Sequence, residues 1–417
     1  MPNSVTRPLG ALEKLINVLH DELSGSTSVC VRIEVNMLIC PDRCKQVWEI
    51  LFARHPLLRA VYSEDKSCLH LQAAFSDIPH HIELEASKST VDTYFGETMV
   101  APFVVTKYLW RFALLQFSPR RSVILFSALH GICDTRSISA LLSEWLTVYK
   151  ALGRGDAVSS HSAPLPGAVD QLLNMPEPSV PQLTLLPCEP VAFFCTEKAE
   201  AFRSCNYEFC VQPDVFAQLR LRCKAEKTTM NGVLCAALAK AVAQATNLSD
   251  DVVLPFSTAV SLRSFLQPPA DNSVLAFYAH QVNFQVSLDQ ADFWQIARTA
   301  KQDYSAALAH YQCVSDDESF RSHITEQCHK SIAQQQYMAP YTVSNVGDVT
   351  SAFAEHQEVD TFRYTIRNGG FGSLILFVST LQDDLFLTLN YCEPACPTAL
   401  VKDIANKIVQ ALMASIC

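Results

Sequence analysis

Ser122-Val-Ile-Leu-Phe-Ser-Ala-Leu-His130-Gly-Ile-Cys-Asp134 is the stretch on which the reading of this chain turns. Residues 123–126 and 128–129 are apolar, the composition of a strand covered on both faces. After Asp134 the period changes. Ile138, Leu141, Leu142, Trp145 and Tyr149 recur at steps of three and four, which is one face of an amphipathic helix. His130 therefore falls where a buried strand becomes a helix. A side chain there is held by the core and can still reach a cavity. A general base needs both, since it must meet its proton at about 2.6–3.2 Å. Asp134 has a structural role open to it as N-cap of the following helix. The chain also supplies an internal control. His356-Gln-Glu-Val-Asp360 has the same H-x-x-x-D spacing with no apolar strand before it.

Working outward, 417 residues exceed one ordinary core, so two domains or two halves of one large unit are expected. Hydrophobic residues make up 49% and charged residues 18%, a composition that excludes a disordered chain. The formal net charge is −10 and no Lys/Arg run occurs, which argues against a nucleic-acid partner. The first residues lack an apolar leader core and no apolar run reaches membrane-span length, so a cytoplasmic protein is expected. Sixteen cysteines are scattered without a C-x-x-C or a paired Cys/His set. Buried free thiols and no metal site are expected.

Periodicity predicts helices over 9–23, 42–54, 213–225, 229–246, 290–309, 316–335 and 398–415, with another after Asp134. It predicts strands over 29–35, 58–63, 68–73, 109–117, 122–129, 204–211, 252–261, 277–287, 341–345 and 361–367. A hairpin is predicted within 373–391, about Gln382-Asp-Asp384. Between Pro164 and Pro190 the chain carries seven of its 21 prolines, the signature of an extended linker. The domain reading is thus 1–163, a crossover over 164–200, and 201–417. Both parts mix strands and helices, so the fold class is α/β or α+β with sandwich halves.

Six separated segments, in order, then agree with one family. They are Arg7-Pro-Leu-Gly-Ala-Leu-Glu13, Leu51-Phe-Ala-Arg-His-Pro-Leu-Leu-Arg59, His130-Gly-Ile-Cys-Asp134, Thr228-Thr-Met-Asn-Gly-Val-Leu234, Val260-Ser-Leu-Arg263 and Thr342-Val-Ser-Asn-Val-Gly347. In these the chain resembles the chloramphenicol-acetyltransferase-like superfamily, which includes alcohol acetyltransferases, polyketide-associated acyltransferases and condensation domains. Where condensation domains often read His-His-x-x-x-Asp-Gly, Leu129 and Thr135 replace the first His and the Gly. The Asp-Phe-Gly-Trp-Gly signature of plant BAHD enzymes is absent, and the glycines of Asn368-Gly-Gly-Phe-Gly372 are read as serving a turn.

The resemblance implies two similar αβ halves meeting in a V, with a tunnel at their interface. It implies His130 as general base for acyl transfer from a CoA or acyl-carrier-protein thioester to a small-molecule alcohol, before an amine, in specialised metabolism. CoA is then a co-substrate, no bound cofactor is required, and a monomer can work. The resemblance makes Asp134 structural, paired with Arg263. Ser344 and Asn345 are candidates for oxyanion or substrate contacts, against a reading as a strand-end turn through Gly347. Tyr341 and Tyr364 are candidate lining residues. His55 is read as part of a helix-to-strand turn. A Cys133–His130 nucleophile pair is disfavoured, because adjacent turn residues seldom converge. Two rival readings stand beside the acyltransferase: an enzyme releasing or cyclising a carrier-bound chain, and a non-catalytic binding protein of the same fold.

Overall fold

The computed structural model describes residues 5–118, 120–173, 191–195, 202–249, 251–289, 292–309, 320–339, 341–370 and 372–416. Of the linker read over 164–200, residues 174–190 and 196–200 lie outside the described residues. Two mixed sheets organise the rest. The first has the strand order Val359–Ile366, Ser28–Val35, Arg121–Leu129, Trp110–Ser118, His80–Glu83. The second has the order Ala279–Ser287, Val253–Ser261, Tyr341–Asp348, Ile375–Leu381, Asp384–Glu393, Arg203–Val211.

Arg121–Leu129 shows how the sequence makes its element. Successive strand residues face opposite sides. Ile124, Phe126 and Ala128 enter the main core, while Val123 and Leu125 enter a smaller cluster with Phe95 and Met99. Trp48, from helix Pro41–Arg54, stacks on Phe126 at 5.4 Å, and Trp145, from helix Thr135–Arg154, lies 6.1 Å from Trp48. The strand is apolar on both sides because both sides are covered.

The second sheet carries helices Met230–Ala245, Phe293–Ala309 and Thr398–Ala414 over one face. Met230–Ala245 is rich in alanine, and its small side chains let neighbours approach closely. Gly232 marks the limit: a Cβ there would sit 2.4 Å from the Ala297 carbonyl oxygen. Thr229 caps this helix by accepting from the Gly232 N–H at 3.2 Å.

One strand crosses the boundary read from sequence. Val359–Ile366 belongs to the C-terminal part by order, yet pairs antiparallel with Ser28–Val35 in the first sheet. Arg363 on it donates to the Leu387 carbonyl of the second sheet at 2.7 Å. Arg32, buried on Ser28–Val35, pairs with Glu208 of the edge strand Arg203–Val211 at 2.7 Å. The two sheets are thus tied by shared chain and by buried charge.

Two further differences from the sequence reading have local causes. The stretch read as strand 58–63 begins as a 3-10 turn over Pro56–Arg59, started by the fixed φ of Pro56, and only Ala60–Tyr62 is strand. His80–Glu83 was not read from sequence. It is a short edge strand, His-His-Ile-Glu, with no apolar alternation to reveal it.

Candidate active site

The motif folds as a tight connection. His130 donates its backbone N–H to the Thr27 carbonyl at 3.1 Å, and the chain then makes a 3-10 turn over His130–Ile132. Gly131 is needed there, since a Cβ would lie 2.5 Å from the Tyr62 hydroxyl. Asp134 caps helix Thr135–Arg154, accepting from the Ser137 N–H at 2.8 Å.

His130 Nδ1 lies 2.7 Å from the Cys133 carbonyl oxygen. A carbonyl only accepts, so Nδ1 carries the hydrogen and Nε2 of the neutral ring carries the lone pair. No described residue hydrogen-bonds Nε2. Burial pushes the imidazole below the ordinary histidine range, against the Cys133 carbonyl and the Asp134 charge, which favour the cation. The Phe277 ring sits 4.7 Å from the imidazole. The ring is fixed in orientation and held neutral.

Two cavities meet at this side chain. One, of about 90 Å³, is bordered by Thr135, Arg136, Ser261, Ser344, Asn345 and Tyr364. The other, of about 130 Å³, is bordered mainly by hydrocarbon, including Leu15, Ile16, Leu19, Phe277, Ile375 and Phe377. His130, Ala259, Ala279 and Ser344 border both. The small side chains at 259 and 279 leave the imidazole accessible from either side.

Asp134 does not touch the imidazole of His130. Its carboxylate accepts from Arg263 Nη2 at 2.8 Å, from the Tyr278 N–H at 3.0 Å and from the Ser137 N–H. Arg263 in turn donates to the carbonyls of Asp271, Val274 and Ala276. The buried pair therefore fastens loop 271–278 to the motif, and that loop supplies Phe277.

Ser344 and Asn345 lie in the strand Tyr341–Asp348, at a register shift. Asn345 Oδ1 accepts from the Gly347 N–H at 2.9 Å, and Gly347 has φ +85°. The strand read as ending before a turn here instead runs on through a bulge to Asp348, and both residues border the polar cavity. Ser344 Oγ is 3.2 Å from the Tyr364 hydroxyl, whose pKa burial pushes up to about 12. Tyr341 lies in the second hydrophobic core instead, and borders neither cavity.

Cys133 is fully buried, and burial pushes its thiol well above the ordinary range. Its backbone, not its sulfur, holds His130. His55 pairs with Glu144 at 2.8 Å, at the end of helix Pro41–Arg54. Asn368 closes its turn with two hydrogen bonds to the Gly372 backbone. Among the described residues no group of three or more His, Cys, Asp or Glu could hold a metal ion, and no helix is long and apolar enough to cross a membrane.

Sequence reasoning missed Arg136, Phe277, His280 and Gln281 as bordering residues. Arg136 follows the motif closely enough to have been found. Phe277 is brought to the cavity by loop 271–278, and His280 and Gln281 border it through the strand pairing that places Ala279 opposite Ser261 and Gln281 opposite Ala259, none of which local sequence reveals.

A family model described as "Condensation domain" matches residues 20–164, and one described as "Phthiocerol/phthiodiolone dimycocerosyl transferase C-terminus" matches residues 213–367. The first span includes His130 and Asp134, the second Arg263, Ser344 and Asn345. Two plipastatin synthase subunits of Bacillus subtilis (strain 168) are each 22% identical over 147 residues, which is 34% of this chain but 4% and 6% of those proteins. The chain thus matches only a small part of those relatives' length. Polyketide synthase associated protein 5 from Mycobacterium tuberculosis aligns over 99% of both chains, with TM-score 0.67 and 14% identity. Trichothecene 15-O-acetyltransferase from Fusarium sporotrichioides aligns over 99% of this chain and 95% of that one, with TM-score 0.71 and 12% identity. The chain has the mixed α/β fold of these solved structures, the fold class read from its sequence.

Proposed function

We propose that this protein is an acyltransferase that moves an acyl group from a thioester to a hydroxyl of a small molecule, with His130 as general base. The observation that carries this reading is the bare Nε2 of His130 between a polar and an apolar cavity, with Nδ1–H committed to the Cys133 carbonyl. The acyl chain occupies the apolar cavity and the acceptor the polar one. Nε2 takes the hydroxyl proton as the acceptor oxygen attacks the thioester carbonyl. The C–S bond then breaks, and the imidazolium returns the proton to the departing thiolate. Such proton transfer is worth about 10²–10⁴-fold.

Donors from Ser344 and Asn345 stabilise the intermediate oxyanion. The Asn345 amide N–H₂ is available for this, because its oxygen already accepts from Gly347. Asp134 acts through position alone: its oxygens are committed to Arg263, Tyr278 and Ser137. No acyl-enzyme forms, since Cys133 stays protonated and the base activates the acceptor directly.

The test is thioester cleavage with water or a simple alcohol as acceptor, read as free thiol, for wild type and His130→Ala. Cleavage that survives the substitution would sink the base assignment. The donor class is decided in the same assay. CoA thioesters are the first choice. The match of residues 20–164 to the condensation-domain model favours a carrier-protein thioester as the second. Activity confined to carrier-bound donors would select it.

A further inference from the structure

Arg136 borders the polar cavity beside His130, in a place where its charge is a liability. It is the second residue of helix Thr135–Arg154, after the cap Asp134. The N-terminus of a helix carries partial positive charge, which favours anions there and disfavours a cation. The first turn holds no acidic residue to offset Arg136, and the carboxylate of Asp134 is committed to Arg263. Arg7, Arg32 and Arg54 in the same half are likewise paired, with Glu13, Glu208 and Glu144. The Arg136 guanidinium makes no hydrogen bond, ion pair or ring contact among the described residues.

Its charged end stands over the cavity. A Cβ on Gly347 would lie 3.8 Å from Arg136 Nη2, and Gly347 has φ +85°, so bare backbone faces the guanidinium there. The Tyr364 hydroxyl, on the same wall, also feels this charge. Burial raises the phenol first of all, and the Arg136 charge is among the influences that pull it back. Gly347 follows Asn345 and Val346, and those two residues border the cavity with Tyr364 and His130.

A cation in this position, without a counter-ion in the chain, calls for an oxyanion from outside it. The net charge of −10 repels anions at long range, so a local cation is what an anionic substrate needs. The planar fork of arginine matches a carboxylate through two parallel hydrogen bonds of about 2.7–2.9 Å. The hydroxyl to be acylated must meet His130 Nε2 at about 2.6–3.2 Å. The cavity of about 90 Å³ is smaller than the roughly 150 Å³ that holds benzene. Hydroxyl and anion are therefore only a few bonds apart.

We propose that Arg136 sets acceptor specificity, and that the acceptor is a short hydroxy acid, or the hydroxy-acid end of a larger molecule, whose carboxylate pairs with Arg136 while its hydroxyl meets His130. This rests on the acyl-transfer reading above, which places the acceptor in the polar cavity. The products are the O-acyl hydroxy acid and the free thiol, with the hydroxyl proton carried to the thiolate by His130.

The experiment uses acceptor pairs that share the hydroxyl and differ in charge: glycolate with glycolamide, 3-hydroxypropanoate with 3-hydroxypropanamide, and 4-hydroxybutanoate with 4-hydroxybutanamide. Each is tested with acetyl and hexanoyl donors, as CoA thioesters and as N-acetylcysteamine thioesters, which carry no phosphate. Ester product is quantified by mass spectrometry. Wild type is expected to favour at least one acid over its amide by about tenfold or more in kcat/KM. Arg136→Gln is expected to abolish that preference, chiefly through the KM of the acid. Arg136→Lys is expected to keep part of it, since it retains the charge and loses the fork. Arg136 is exposed, so these substitutions leave the core untouched. Arg136→Gln is also expected to melt no lower than wild type, because it removes a cation from the positive end of a helix. A merely structural arginine would not give that combination.

Equal use of acid and amide by wild type, or a preference unchanged in Arg136→Gln, overturns the proposal and leaves acyl transfer standing. Loss of acid and amide alike in Arg136→Gln, with a lowered melting temperature, gives the arginine a structural duty and also overturns it. So does a loss confined to CoA donors whichever acceptor is used, which assigns the arginine to the donor's phosphate. Absence of His130-dependent cleavage with every donor is the failure of the acyl-transfer reading itself, and the proposal falls with it.

Discussion

The chain contains the same five-residue spacing twice, and the two histidines have opposite surroundings. His130 uses one ring nitrogen on a backbone carbonyl and presents the other between two cavities. His356 is 3% exposed, and both of its ring nitrogens are engaged: Nδ1 by Lys150 Nζ at 3.0 Å and Nε2 by Thr147 Oγ1 at 3.1 Å. Asp134 is buried against Arg263, whereas Asp360 meets Arg121 at the surface at 3.2 Å. A spacing motif carries chemistry only where the fold leaves one atom unspent. His356 is a histidine fully used in holding the helix Thr135–Arg154 to the segment before strand Val359–Ile366.

The comparison is broken most directly by exchanging the losses. His130→Ala should lower turnover by about 10²–10⁴-fold while the protein stays folded by circular dichroism. His356→Ala should leave turnover within about threefold. Steady-state kinetics on both variants checks the contrast, and a larger loss from His356 than from His130 would reverse the assignment.

Next in size is the difference between the two aspartates. Removing one partner of the buried pair, by Asp134→Ala or Arg263→Ala, should cost about 3–5 kcal/mol and lower the folded yield. Asp360→Ala, which removes only a surface pair, should cost about 0–1 kcal/mol. Urea denaturation separates the two. Full stability with lost activity in Asp134→Ala would give that carboxylate a direct chemical role instead of a positional one.

A smaller effect is expected from His356→Ala on stability, about 1–3 kcal/mol, because Thr147 and Lys150 lose buried partners. The same urea series reads it.

The smallest expected effect is in pH dependence. Burial holds His130 and His356 below the ordinary value of about 6.5. For His130, the ring must be neutral to accept a proton. kcat/KM should therefore rise with pH through a midpoint below 6.5 and stay level through neutrality, a limb that His130→Ala lacks. For stability the sign follows from linkage. As pH falls below about 6.5 the unfolded chain takes up protons before the folded chain does, so stability is full above that pH and is lost toward the folded pKa. His356→Gln should make that decline shallower in a thermal-unfolding series. An unchanged slope would mean that His356 is not held neutral by its surroundings.

Most elements were legible because each carries its period in its own residues. The Ile138–Leu142–Trp145–Tyr149 stripe and the double-faced apolar run 123–129 both became the expected element, at Thr135–Arg154 and Arg121–Leu129. The strand His80–Glu83 was illegible, since its place in the sheet comes from a parallel neighbour and not from its own composition. The position of His130 at the end of a buried strand could be read from order along the chain. The contact of Arg263 with Asp134, 129 residues apart, could be named only by resemblance.

By itself, then, the sequence determined most of the helices and strands, the motif turn and the fold class, because these rest on local periods and on an ordered set of short segments. Tertiary structure alone decided which H-x-x-x-D keeps a free ring nitrogen, that Val359–Ile366 crosses into the first sheet, and that Ala259 and Ala279 open both cavities onto one imidazole. It also placed His280 and Gln281 at the cavity wall. The physical reason is the same in each case: these properties depend on strand register between segments far apart in the chain, and a one-residue slip would turn every one of those side chains to the other face.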